Sequence, residues 1–157
     1  MNMGRVPILY IDGKAVLGQS KSIERFLAGR FALMGANDVE AAQVDMIGEH
    51  VRDIKDAYQK AKAAGNGDKF LDEDLKTWLA KLEAVLVLTS TKPGCAVGDK
   101  LSLAGLHIFS LLTDVFDAKD KAKAAHAGLT HITAVVDNVA ANEKLVAWQK
   151  ARPVTMF

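Results

Sequence analysis

Apolar and polar residues alternate in blocks whose period changes along the chain. Pro7-Ile8-Leu9-Tyr10-Ile11 is a short apolar, β-prone run, Asp12-Gly13 follows, and Ala15-Val16-Leu17 is a second run. Asp-Gly between two such runs predicts a hairpin, because the turn needs positive φ. After Gln19-Ser20 the spacing of Ile23, Phe26, Leu27 and Phe31 predicts one amphipathic helix. Beyond Gly35 the whole chain reads as helix. Asn37-Asp38 with Glu40 is a start signal like a capping box. Val44, Ile47, Val51, Ile54, Tyr58 and Ala61 then recur at gaps of three and four, up to the stop at Gly65-Asn66-Gly67-Asp68. Leu71, Leu75, Trp78, Leu82 and Val85 mark the next helix, and Pro93-Gly94 a loop. Ser102 is placed as the N-cap of a helix running through Leu103, Leu106, Phe109, Leu112 and Phe116, apolar all round as a central buried helix is. Shorter helices follow, one with Leu129, Ile132, Val136 and Val139 on a face.

The pattern predicts an α+β, mostly α chain: a β-β-α unit over residues 1–35, then an all-helical domain over 36–157. A two-stranded hairpin with one helix is marginal in water, so it must pack on the bundle or belong to a larger sheet.

Composition narrows the function classes. Half of the 157 residues are hydrophobic and 25% are charged, with a net charge of +1, which excludes a disordered chain and a basic nucleic-acid surface. No run approaches the roughly 20 apolar residues of a membrane span, and Val6 to Ile11 is too short for a secretory signal core. Cys95 is the only cysteine, so no intramolecular disulfide is possible and a cytoplasmic location is expected. His50, His107, His126 and His131 lack zinc-ligand spacing, and no metal is expected. Gly94 to Ser102 lacks the Gly-Lys-Ser/Thr ending of a phosphate loop. Tyr10, Tyr58, Trp78 and Trp148 fall on apolar faces and read mostly as core.

Two places carry candidate chemistry. Pro7, after Val6, is either an ordinary edge-strand proline or a cis proline that presents neighbouring backbone groups to a ligand. Gln19-Ser20 stands where a strand gives way to a helix; Ser20 is either a plain N-cap or part of an anion site built on free helix N–H groups.

In order and spacing, Arg5-Val6-Pro7-Ile8-Leu9, Asp12-Gly13, Gln19-Ser20-Lys21-Ser22-Ile23, Arg25-Phe26-Leu27-Ala28, Val44-Asp45-Met46-Ile47, Val97-Gly98-Asp99-Lys100-Leu101-Ser102-Leu103-Ala104 and the end from Trp148 to Pro153 resemble the cytosolic glutathione transferases of sigma, pi and mu style. The resemblance implies a partial thioredoxin-like unit on an all-helical domain, glutathione as co-substrate without any other cofactor, a small electrophile as second substrate, and a homodimer. In that family Val6 lends backbone hydrogen bonds to the cysteinyl unit of glutathione beside a cis Pro7, and Gln19 and Ser20 hold the γ-glutamyl carboxylate. Asp53 reaches the γ-glutamyl amino group from the partner subunit, its other reading being a solvated helix-face acid. Tyr58 is assigned to the hydrophobic substrate site. The first helix and segment 45–58 of the long helix are expected at the two-fold interface.

Two departures matter. The family begins with a strand, a helix and a strand before this proline, and its catalytic tyrosine lies near the end of the first strand. No residue here matches that hydroxyl, so no catalytic residue is assigned. At position 105 the family usually has aspartate, completing a capping box with Ser102, and this chain has glycine. The expectation is a glutathione transferase by family, weakly active or inactive as the 157-residue chain, with a non-catalytic binding or assembly module and a purely structural helical domain as the alternatives.

Overall fold

The computed structural model describes Gly4 and residues 6–153; Arg5, where the resemblance starts, lies outside the described residues. Strands β1 (Ile8–Ile11) and β2 (Ala15–Gly18) form the expected antiparallel hairpin, with Ile8 opposite Gly18 and Ile11 opposite Ala15. Lys14 N–H closes the turn on Ile11 C=O at 2.9 Å, with φ of 50° at Asp12 and 67° at Gly13. Positive φ at both central residues is the pattern that matches the right-handed twist of a hairpin.

Helix α1 (Ser20–Arg30) follows. It ends before Phe31, which is 68% exposed and not part of the apolar face assigned to it. Helix α2 (Asp38–Ala63) buries Val44, Ile47, Val51, Ile54 and Tyr58, as the three-four spacing predicts. Its start is a capping box displaced by one residue. Asn37 Oδ1 accepts from Glu40 N–H at 3.0 Å, and Glu40 Oε2 accepts from Ala36 N–H at 2.7 Å rather than from the cap residue.

A short turn, α3 (Gly67–Lys69), runs through a π-helical turn (Phe70–Asp74) into α4 (Leu75–Thr89). The wider turn lets Phe70, Leu71, Leu75, Leu79, Leu82 and Leu86 all reach the core. Helix α5 (Leu103–Ser110) ends in a second π-helical turn (Leu111–Val115), after which Phe116 is extended. α6 (Lys119–His126), α7 (Thr130–Ala140) and α8 (Glu143–Ala151) complete the bundle. α5 is central, packed on α2, α7 and α1, while α4 bridges α2, α6 and α7. Among the described residues no helix is long and apolar enough to cross a membrane.

The loop before α5 is fixed by backbone pairing. Gly98 N–H donates to Thr89 C=O at 2.9 Å, and Thr91 N–H to Gly98 C=O at 3.0 Å. Gly98 has φ 60°, a conformation that favours glycine, and a Cβ there would stand 2.8 Å from Glu40 Oε2 and push that side chain aside. Ser102 has the extended backbone of an N-cap, but its hydroxyl makes no capping bond. The Oγ is buried with no hydrogen-bond partner among the described residues. The first turn of α5 is held from outside, by Leu103 N–H on Leu33 C=O at 2.8 Å.

Gly105 therefore sits in a weakly capped first turn. A Cβ there would meet Val135 and Val139 methyls at 3.6 Å, ordinary contact. Gly105→Ala is expected to stabilise the protein by about 1 kcal/mol through helix propensity, read as a higher midpoint in urea with unchanged slope.

Candidate functional site

The register of the hairpin assembles the site. Because Ile8 faces Gly18, the residues before β1 and after β2 lie at one end of the hairpin, opposite the Asp12-Gly13 turn. Val6 and Pro7 thus come to the same end as Gln19 and Ser20. The Val6–Pro7 bond is cis, as expected. Val6 is 86% exposed and lies outside the ladder, so its backbone groups are not used by the sheet.

Gln19, not Ser20, is the residue that starts the helix. It has φ 69° and ψ 120°, a positive-φ conformation that glycine favours and glutamine rarely adopts. Its side chain makes no capping bond. Ser20 is the first helical residue, which corrects the N-cap reading. Ile23 N–H donates to Gln19 C=O at 3.1 Å as the first bond of α1, so the N–H groups of the first turn point out of the helix end. There is no acidic residue in that turn. The strained residue, the outward N–H groups, the Ser20 hydroxyl and the positive end of the helix dipole together suit an anionic group such as a carboxylate.

α1 is fastened to the bundle by charge. Arg25 Nε meets Asp45 Oδ1 at 2.5 Å and its Nη2 meets Glu49 Oε1 at 2.6 Å; Glu49 also pairs with Arg52. The Asp45 hydrogen bond, ahead of the opposing effect of burial, raises the Arg25 pKa further. Glu24 Oε2 touches Lys21 Nζ at 2.8 Å and His107 Nε2 at 3.1 Å. The His107 hydrogen bond holds the Glu24 carboxyl at about 2, with burial opposing and Lys21 assisting. A groove of about 530 Å³ opens beside Ser20, bounded by Val51, Arg52 and Lys55 of α2 and by His107 and Leu111.

Asp53 is exposed on α2 and makes no ion pair among the described residues. It does not line the Ser20 groove of its own chain, so the fold does not bring it to the other four site residues within one subunit. Tyr58 is a correction. Its side chain is 2% exposed, packed on Phe70 and edge-on to Phe116, and its hydroxyl donates to Asp117 Oδ2 at 3.1 Å. A ring enclosed by the core presents no face to a substrate, so Tyr58 is structural, as its place on the apolar face of α2 implies. Trp78 is half-buried, but Tyr10 and Trp148 are 69% and 59% exposed, contrary to the core reading. Cys95 is buried, and that burial raises its thiol pKa, so it is no ready nucleophile. The sequence reading missed the Glu24–His107 pair. A histidine within an otherwise apolar helix is the one signal that could have found it.

A helical bundle carrying a β-β-α unit, with a cis proline and a strained residue at an exposed helix N-terminus, defines a mostly α member of the α+β class. Residues 44–152 match the family model described as Glutathione S-transferase, C-terminal domain, and the chain belongs to the glutathione S-transferase family. It is 31% identical to Glutathione S-transferase P 1 of Xenopus laevis, over 97% of this chain and 73% of that protein. It is 30% identical to Glutathione S-transferase 3 of Caenorhabditis elegans, over 98% of this chain and 77% of that one. Among solved structures it is similar to monomeric Na-GST-3 of the hookworm Necator americanus, with TM-score 0.81 and 28% identity over all of this chain and 78% of that one. Glutathione is the family's co-substrate.

Proposed function

We propose that residues 1–35 form the glutathione-holding unit and residues 36–157 the helical domain that supports it. In this reading Val6 pairs its backbone with the cysteinyl unit beside Pro7. Gln19 and Ser20 take the γ-glutamyl carboxylate, and Asp53 of the partner subunit takes the amino group. The observation that carries the reading is the positive φ of Gln19 at the mouth of α1, at the same hairpin end as the cis Val6–Pro7 bond. A carboxylate against helix N–H groups and a hydroxyl forms charge-assisted hydrogen bonds, and a carboxylate facing an ammonium does the same across the interface. The second substrate is a small electrophile, and the compartment is the cytosol, which the single cysteine supports.

Titration of the 157-residue chain with glutathione tests the site. Ser20→Ala is expected to weaken binding about tenfold, the loss of one hydrogen bond to a charged group. An unchanged affinity would remove Ser20 from the site. Light scattering on the same samples tests the homodimer; a monomer across a wide concentration range would take Asp53 out of the site as well.

A further inference from the structure

α1 has little apolar hold on the bundle, Ala28 being its one fully buried residue among those described. Its far half is tied to α2 through Arg25. Its near half, which carries Ser20, is tied through Glu24. Glu24 lies four residues after Ser20 and so stands on the same side of the helix, one turn along. Across from it the His107 side chain is 16% exposed, with Nε2 directed at the carboxylate. The opposite ring nitrogen, Nδ1, is buried and has no hydrogen-bond partner among the described residues. It rests on Gly48 of α2, where a Cβ would stand only 2.9 Å away. The ring is therefore wedged against the α2 backbone, with a single productive bond, Nε2–H to Glu24. An unpartnered buried nitrogen has a cost, and an alanine or leucine at position 107 would avoid it. The charged groups around the pair are Lys21 and Arg25 on α1 and Asp45, Glu49, Arg52, Lys55 and Asp56 on α2.

We propose that His107 is a positioning residue for glutathione: by holding Glu24 it seats the first turn of α1 on the bundle and so aims the Ser20 end of the helix at the ligand. The inference rests on the glutathione reading given above, and the test separates the two. Amide signals of Ser20, Lys21 and Ser22 are followed by NMR in the 157-residue chain, first free and then titrated with glutathione. His107→Leu should displace those signals in the free protein and weaken glutathione about fivefold, the loss expected for one hydrogen bond. His107→Gln, whose amide can donate from a similar position, should restore both. Glu24→Ala, a change at a half-exposed side chain, should reproduce His107→Leu from the other side of the bond. A His107→Leu chain that keeps wild-type signals and affinity overturns the proposal, and so does a glutamine variant no better than leucine. If Ser20→Ala leaves the titration unchanged, the glutathione reading fails, and the ligand-free signals still decide whether His107 seats α1.

Discussion

Replacing Glu83 with alanine should destabilise the protein by about 2 kcal/mol, because two part-buried backbone donors lose their acceptor at once. Helix α7 starts at Thr130 after Leu129, a residue that cannot cap. The cap comes from another helix. Glu83, on α4, accepts from His131 N–H at 2.8 Å and Ile132 N–H at 2.9 Å, and its Oε1 lies 3.0 Å from His131 Nδ1. Ile132 is fully buried, so water cannot readily replace the carboxylate at that end of the helix. Glu83→Gln keeps one acceptor oxygen and loses the charge, and about half the effect should follow. Burial pushes the Glu83 pKa up, but the two backbone hydrogen bonds and His131 outweigh it, so the folded carboxyl titrates below its ordinary 4.5. A depressed folded pKa means the contribution is complete above 4.5 and is lost as pH falls through the folded value. The gap between wild type and Glu83→Ala should therefore narrow on acidification, while wild type and Glu83→Gln converge. Urea unfolding from pH 7 down to the onset of acid unfolding reads this. A gap under about 0.5 kcal/mol at pH 7, the scatter of ordinary surface changes, would show that α7 needs no outside cap.

Much of this fold is legible locally. Asp12-Gly13 can only turn, and the three-four spacing from Val44 to Tyr58 fits only a helix with one buried face. What was not legible depends on register or on distance. The π-helical turns at Phe70–Asp74 and Leu111–Val115 insert one residue into a helical repeat, which shifts the buried face without breaking the apolar spacing. Phe31 fits the period of α1, but the helix ends one residue earlier. Ser102 looks like a capping residue and has the right backbone, yet Gly105 offers no reciprocal carboxylate and Leu33 supplies the nearest bond instead. Glu83–His131 and Glu24–His107 join residues 48 and 83 positions apart, a separation at which no spacing rule operates. In the candidate site, the order Val-Pro, Gln-Ser was readable, but that the hairpin register would set both at one end is a property of the pairing. Tyr58 was misplaced because an aromatic on an apolar face looks alike whether that face lines a cleft or a core.

Assayed by itself, the 157-residue chain should conjugate glutathione to a generic aromatic electrophile at close to the uncatalysed rate. In that reaction the thiol gives up its proton, the sulfur attacks the electrophilic carbon, and the leaving group departs with its electron pair. A free thiol has a pKa near 8.5, so only about 3% is thiolate at pH 7. A hydroxyl donating to the sulfur shifts that balance, and this is the role of the family's tyrosine. The chain has two tyrosines, and neither is placed for it. Tyr58 is committed to Asp117 inside the bundle. Tyr10 lies three residues beyond Pro7, about 10 Å along an extended strand from the place where the cysteinyl unit would sit. On the proposed glutathione reading, Gln19 and Ser20 act at the other end of the peptide, on the γ-glutamyl carboxylate, and leave the thiol pKa to the solvent. Binding and chemistry should therefore separate: Ser20→Ala weakens the glutathione titration and leaves the background conjugation rate where it was. Proton release on mixing with glutathione, followed at pH 7 by an indicator dye, should be negligible, since neither tyrosine is placed to donate to the thiolate. Turnover well above background that disappears in Ser20→Ala, with proton release on binding, would refute this and would place a thiol-activating donor among residues 1–157.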